Sequence, residues 1–176
     1  MGLEESSSSS GDEVEEFDVP QAVNEVFAAL ESWREYDGSK QSPFEYEALK
    51  GRRIVMVDDE KIILESFVQS LLEATEGAAS FVHYRGGLFD ELIQAILGID
   101  PEIVLMDYHL SGSLSGDMVI RELLATRSDI FCIGFSSRED IFPSFLRAGA
   151  IGNVLKDTFN PSRTLVEVSN AIYSPL

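Results

Sequence analysis

The chain has 176 residues, 44% of them hydrophobic and 25% charged, which suits one compact domain with an appendage and excludes both an array of catalytic domains and wholesale disorder. Thirty-one acidic against 13 basic residues give a formal net charge of −18, which repels phosphate backbones and anionic lipid and so excludes nucleic acid and membrane surfaces as direct partners. A single cysteine, Cys132, excludes an internal disulfide and a cysteine-rich metal cluster.

Residues 1–18 combine the run Ser6 to Ser10 with Asp12, Glu13, Glu15, Glu16 and Asp18 and carry no basic residue. Such a segment cannot bury enough apolar area to offset its chain entropy and is expected to be a disordered acidic tail. Neither a signal peptide nor an apolar run of the roughly 18 residues that would span a bilayer is visible, so the chain is expected to be cytoplasmic. Over 19–37, Val19, Val23, Val26, Leu30 and Trp33 step by four and three residues, with Pro20 suited to a first turn and Gly38 to a stop. This spacing predicts an amphipathic helix. Its narrow heptad seam is short of a freestanding coiled coil and must bury itself, either on the chain's own domain or, as the seam favours, on the same helix of a second chain in a homodimer. Residues 38–51, with Gly38, Ser39, Ser42 and Pro43, read as a linker.

From Arg53 the pattern changes to short apolar runs alternating with helical stretches. Strands are predicted over Ile54 to Val57, Ser80 to Tyr84, Ile103 to Asp107, Ile130 to Phe135 and Gly152 to Leu155. Helices are predicted from near Lys61, Gly87, Gly116 and Glu139, with a last one from Asn160 that places Pro161 in its first turn. Parallel neighbours need crossovers, and here the crossovers are helices, so the class is α/β with a doubly wound five-stranded parallel sheet.

In an open parallel sheet, function gathers outside the carboxyl ends of the strands. The first strand ends in Asp58 and Asp59, the third in Asp107, the fourth in Ser136 and Ser137, the fifth in Lys156. Singly, each has a bland reading as a cap or a solvated charge. Together they bring three carboxylates to one edge of the sheet, where mutual repulsion calls for a cation, and hard oxygen ligands at an open site suit Mg2+ better than zinc.

The stretches Val57-Asp58-Asp59-Glu60, Val104-Leu105-Met106-Asp107, Phe135-Ser136-Ser137, and Ala148-Gly149-Ala150 with Val154-Leu155-Lys156 resemble, in order and spacing, the receiver domain of two-component response regulators, over residues 52–176. The resemblance implies a flavodoxin-like strand order 2-1-3-4-5 and Asp107 as the phosphoacceptor of a two-component system or phosphorelay, charged from the phosphohistidine of a sensor histidine kinase or phosphotransfer protein. It implies a Mg2+ site made by Asp58, Asp59, Asp107 and the backbone carbonyl of His109. Lys156 and Ser136 would bind phosphoryl oxygens. A self-catalysed phosphotransfer and autodephosphorylation of this kind is not a conventional enzyme activity. With no room left for an output domain, signalling by contact with a downstream protein is the expected output. The alternative is a pseudo-receiver that is never phosphorylated and acts as a scaffold through its N-terminal helix.

Four positions depart from the commonest receiver pattern. The loop Tyr108 to Gly116 lacks the usual proline and sets Gly116 one residue later than usual. Asp157 replaces the proline after the lysine, so a trans peptide is expected there. Asn153 stands where the family has a switch aromatic, and Arg138 puts a cation at the rim. His83 is expected to be a core or edge residue of the second strand.

Overall fold

The structure, a computed structural model, describes residues 46–173. The expected acidic tail and amphipathic helix, and residues 38–45 of the expected linker, lie outside the described residues. Five strands, β1 (Ile54–Asp58), β2 (Ala79–His83), β3 (Ile103–Met106), β4 (Phe131–Ser136) and β5 (Gly152–Leu155), alternate with five helices. These are α1 (Lys61–Ala74), α2 (Phe89–Gly98), α3 (Gly116–Thr126), α4 (Phe142–Ala148) and α5 (Pro161–Tyr173). The strands form one parallel sheet in the order β2-β1-β3-β4-β5, as expected.

Successive residues of each central strand point to opposite faces, and both faces are covered. Ile54, Met56, Ile103, Leu105, Ile133 and Phe135 pack under α1 and α5 with Phe67, Leu71, Leu165 and Val168. Val55, Val57, Val104, Met106 and Cys132 pack under the other three helices with Leu92, Ile96, Val119, Leu123 and Phe145. This is why the strands read as unbroken apolar runs. Burial in the second layer pushes the Cys132 thiol up to about 12, leaving it inert at neutral pH.

Two helices start later than the sequence pattern suggests. Gly86 and Gly87 both have positive φ, which a right-handed helix does not admit, and α2 begins at Phe89. Pro143 lacks an amide proton and needs a first-turn position, so α4 begins at Phe142 and Glu139 belongs to the preceding turn. That helix ends at Gly149, whose φ of 102° is the left-handed stop that glycine takes without strain.

The end of the expected linker is part of the packed body. Tyr46 and Leu49 are buried in the α1/α5 layer, the amides of Leu49 and Lys50 close a turn on the Tyr46 carbonyl, and the Tyr46 hydroxyl donates to the Ser162 carbonyl at 3.3 Å. The body therefore extends N-terminally past the boundary expected at 52. So short an apolar stretch, Tyr46, Ala48 and Leu49, carries no sustained periodicity, which is why the sequence pattern does not show it as core.

Candidate functional site

The backbone ladder fixes the site before any side chain does. The Asp107 amide donates to the Val57 carbonyl (3.0 Å), the Tyr84 amide to the Asp58 carbonyl (2.9 Å) and the Lys156 amide to the Ser136 carbonyl (2.9 Å). Each bond continues a strand pairing by one residue past the strand, so the polar residues that end β1, β3, β4 and β5 stand on rigid backbone along a single edge.

At that edge, carboxylate oxygens of Asp58, Asp59 and Asp107 lie within 4.8 Å of one another. Asp58 and Asp107 are buried, with side chains 1% and 9% exposed, and Asp59 is half-buried. The Lys156 ammonium, itself only 6% exposed, lies 2.7 Å from Asp107 Oδ1 and is also ion-paired to Asp58 Oδ2. It stands 5.8 Å above the centre of the Phe135 ring, whose face favours a cation there. The other Asp58 oxygen accepts the Glu60 amide at 2.9 Å. Burial is the main reason the Asp58 carboxyl is held above its ordinary range; Lys156 opposes that rise and the Asp107 charge adds to it.

Asp59 is held from two sides by groups that the sequence pattern did not single out for the site. The His83 Nε2–H donates to its carbonyl at 3.0 Å, and the Ser111 hydroxyl donates to its Oδ2 at 3.3 Å. His83 closes β2 in register with Asp58, so the expected edge histidine is also a support of the acidic cluster. Only the strand order makes that visible, because β2 neighbours β1 directly. The donor set offered by the three acids is all hard oxygen, with Asp59 free of the lysine pairing, and it fits a small divalent cation such as Mg2+.

Ser136 ends β4 nearly buried, its hydroxyl oxygen accepting the Arg138 amide at 3.3 Å. The Arg138 guanidinium turns away to Asp140, whose carboxyl it holds below the usual range. His109 is exposed; its backbone bridges Ser115, and the Leu110 amide donates to the Leu114 carbonyl (3.2 Å), which closes the loop after Asp107. The Gly116 amide returns to the Tyr108 carbonyl (2.8 Å), and a Cβ at Gly116 would fall 1.8 Å from the Asp107 carbonyl oxygen. Only glycine fits there, and its later position in the sequence is absorbed by the extra loop residue.

Among the described residues no peptide bond is cis, so the Lys156–Asp157 bond is trans as expected. Asp157 does not draw the lysine away: its carboxylate accepts the Phe159 amide and the Asn160 side chain, each at 3.0 Å. Asn153 leaves its side-chain oxygen buried with no partner. The space beside it is filled from α4 by Phe145, against Gly134, where a Cβ would sit 2.2 Å from the ring. Tyr108 meets the Phe145 ring edge-on at 5.5 Å. Phe145 in α4 and Ile141 just before it are therefore core, and Leu146 is exposed.

No protein-family model matches the chain, and no curated protein matches it. Solved structures do. The receiver domain of NtrX from Brucella abortus superposes with a TM-score of 0.56 at 24% identity, over 69% of this chain and 98% of that one. The BeF3-activated receiver domain of DrrB does so with 0.54 at 22%, over 69% and 97%. The isolated receiver domain of RcsB from Salmonella enterica serovar Typhimurium, solved with the phosphomimetic BeF3−, gives 0.53 at 18%, over 68% and 88%. The described body has the response-regulator receiver fold.

Proposed function

We propose that this chain is a phosphoacceptor receiver of a two-component system or phosphorelay, in which Asp107 takes a phosphoryl group from a phosphohistidine of a sensor histidine kinase or phosphotransfer protein. The observation that carries this reading is the position of Lys156, 2.7 Å from Asp107 and ion-paired to Asp58, beside a third carboxylate on the same edge. A purely structural site would not gather three acids around one cation in a nearly buried pocket, because desolvating them costs more than their attraction to the lysine returns. Two of the structural neighbours were solved with BeF3, in keeping with an acceptor at this edge.

In the reaction, an ionised oxygen of Asp107 attacks phosphorus. The P–O bond forms as the P–N bond to imidazole breaks, the electron pair leaves with the imidazole nitrogen, and that nitrogen takes up a proton; the product is a mixed carboxylic–phosphoric anhydride. Lys156 already points at the acceptor oxygen and would follow the phosphoryl oxygens, and the Ser136 hydroxyl would donate to another of them. Asp58, Asp59, Asp107 and the His109 carbonyl would hold Mg2+, which when bound screens the negative charge between carboxylate and phosphoryl group. His83 and Ser111 keep Asp59 in place. The activity is self-catalysed transfer and autodephosphorylation, with one turnover per donor encounter, so the chain is a signalling protein rather than a conventional enzyme. Output passes by contact with a downstream protein. No helix among the described residues is long and apolar enough to cross a membrane, in keeping with a cytoplasmic site of action.

The test is to incubate the full chain with Mg2+ and a small phosphodonor and read its intact mass. One phosphoryl group, stable in acid, labile in base and mapped to Asp107, is expected. An unmodified chain would overturn the reading in favour of a scaffold that keeps the fold without the chemistry.

A further inference from the structure

Three residues of the functional edge stand one place past a strand, and they are not tied down in the same way. Asp107, one past β3, is tied by its own amide to the Val57 carbonyl, and Lys156, one past β5, by its own amide to the Ser136 carbonyl. Bonds from main chain to main chain come with the parallel ladder, whatever the side chains. Asp59, one past β1, is tied by a side chain: the His83 Nε2–H donates to its carbonyl at 3.0 Å. That carbonyl belongs to the Asp59–Glu60 peptide, whose N–H donates to Asp58 Oδ1 at 2.9 Å. A peptide is a rigid plane. Holding both its oxygen and its hydrogen fixes the Asp59 Cα, which lies in that plane, and so the point from which the carboxylate reaches the site.

The partners of His83 also settle where its proton sits. A carbonyl only accepts, so Nε2 carries the proton. Nδ1 faces the Arg85 Nε at 3.4 Å, and a guanidinium only donates, so Nδ1 accepts. Both ring nitrogens are thereby engaged, and the ring serves as a support rather than as a ligand. Of the three acids, Asp58 and Asp107 are paired with Lys156, and Asp59 stands outside that pairing, its Oδ2 accepting from the neutral Ser111 hydroxyl at 3.3 Å. Asp59 is therefore the acid with most to give a cation, and its placement weighs most on how tightly one is held.

We infer that His83 is a positioning residue of the cation site: through the backbone of Asp59 it sets the affinity of the acidic edge for Mg2+, touching neither the metal nor the reacting atoms. The inference rests on the Mg2+ part of the phosphoacceptor reading. Groups that hold a metal ligand from behind change affinity by roughly 10- to 100-fold when removed, and a single tie to a carbonyl belongs at the lower end of that range.

The test titrates the full chain with Mg2+ alone and follows the rise in Tm, which yields a dissociation constant whatever the starting stability of a variant. His83→Leu, which keeps much of the ring's bulk, and His83→Ala, which does not, should each weaken Mg2+ binding about tenfold. Equal losses in the two separate the missing donor from missing packing. His83→Gln, whose amide N–H takes the place of Nε2–H, should restore most of the affinity. With a small phosphodonor, the Mg2+ concentration giving half the maximal rate of Asp107 labelling should rise by the same factor in His83→Leu. The rate at saturating Mg2+ should match the parent's, because Asp107, Ser136 and Lys156 are untouched. The inference is overturned if His83→Leu and His83→Ala bind Mg2+ as tightly as the parent, if His83→Gln is as weak as they are, or if saturating Mg2+ fails to recover the rate. A parent that does not respond to Mg2+ overturns the inference and the Mg2+ site together. Mg2+ binding that depends on His83, with no adduct on Asp107 in any sample, would remove the phosphoacceptor reading and leave His83 in its role.

Discussion

The two ends of the sheet use charge in opposite ways. At the end away from the site, Arg52, Arg53 and Arg127 face Asp100, Glu102 and Asp129, three cations against three acids. Their bonds include Arg52 to Glu102 at 2.7 Å and Arg127 to Asp100 at 2.6 Å, and most of these side chains are well exposed to water. At the site end three carboxylates meet one lysine, and Asp58, Asp107 and Lys156 are almost wholly out of water. The first arrangement is balanced and solvated, contributes little per pair and is easily replaced. The second is unbalanced and desolvated, and it costs stability in order to present a reactive oxygen. An ionic cluster that works against the fold has to be explained by chemistry.

The largest effect that would break this comparison is loss of the chemistry itself. Asp107→Asn keeps the shape of the site and removes the nucleophile, so the phosphodonor adduct should disappear altogether from the intact-mass spectrum. An undiminished adduct would move the acceptor elsewhere and make the acidic edge incidental. Next in size is Lys156→Met, which strips the cluster of its cation. Removing one partner of a buried ionic group costs about 3 kcal/mol, so urea unfolding at neutral pH should show a lower midpoint. Added Mg2+ should recover a large part of the loss, because it supplies the missing positive charge. A variant as stable as the parent without divalent cation would mean that the carboxylates do not depend on the lysine.

The fold and the acidic edge were legible because two signals coincided: each central strand is an apolar run, and four of the runs stop abruptly at a polar residue that the parallel order brings to one side. Asp58, Asp59, Asp107, Ser136 and Lys156 could be placed on the edge from that alone. What supports them could not. His83 reaches Asp59 only through the β1/β2 register, and Ser111 only through the closure of the loop after Asp107. Tyr46 and Leu49 sit among Ser, Pro and Glu with no repeat to mark them. The space that takes Phe145 comes from Gly134 on a different element, so the burial of that ring is not visible from α4 alone. Long-range complementarity of this kind has no local signature.

A smaller effect, of opposite sign, sharpens the comparison further. Burial raises the Asp58 carboxyl above its ordinary value of 3.8, so the folded chain binds that proton more readily than the unfolded chain. Stability therefore falls as pH rises from the ordinary value through the raised one, and the full penalty is present at neutral pH. Asp58→Asn removes the charge and keeps an oxygen to accept the Glu60 amide. In the absence of divalent cation it should be more stable than the parent by about 1 kcal/mol at pH 7, with the gain vanishing below the ordinary value. The same variant should lose most of the stabilisation that Mg2+ gives the parent. A Tm that drops at pH 7, or a gain that grows in acid, would mean that the Asp58–Lys156 pair stabilises the fold after all.

The smallest effect belongs to the far end and sets the baseline for the others. Arg127 is the best-connected cation there, with Nε 3.0 Å from Asp129, one terminal nitrogen 2.6 Å from Asp100 and the other 2.7 Å from the Pro101 carbonyl. The hydrogen bonds to its acids hold the guanidinium's pKa above its ordinary value. That shift carries little stability, because Asp100 and Asp129 are both well exposed and water screens them. What Arg127→Ala does lose is the bond to a backbone carbonyl and the packing of the aliphatic stem, together under about 1 kcal/mol. Most of the loss should survive in 1 M salt, where a purely ionic contribution would be screened away. Phosphorylation at Asp107 should proceed at the parent rate, since the substitution lies at the opposite end of β3 from the acceptor. A loss of several kcal/mol that salt abolishes would show that the far-end network holds the fold electrostatically, and the two ends of the sheet would then differ in degree rather than in kind.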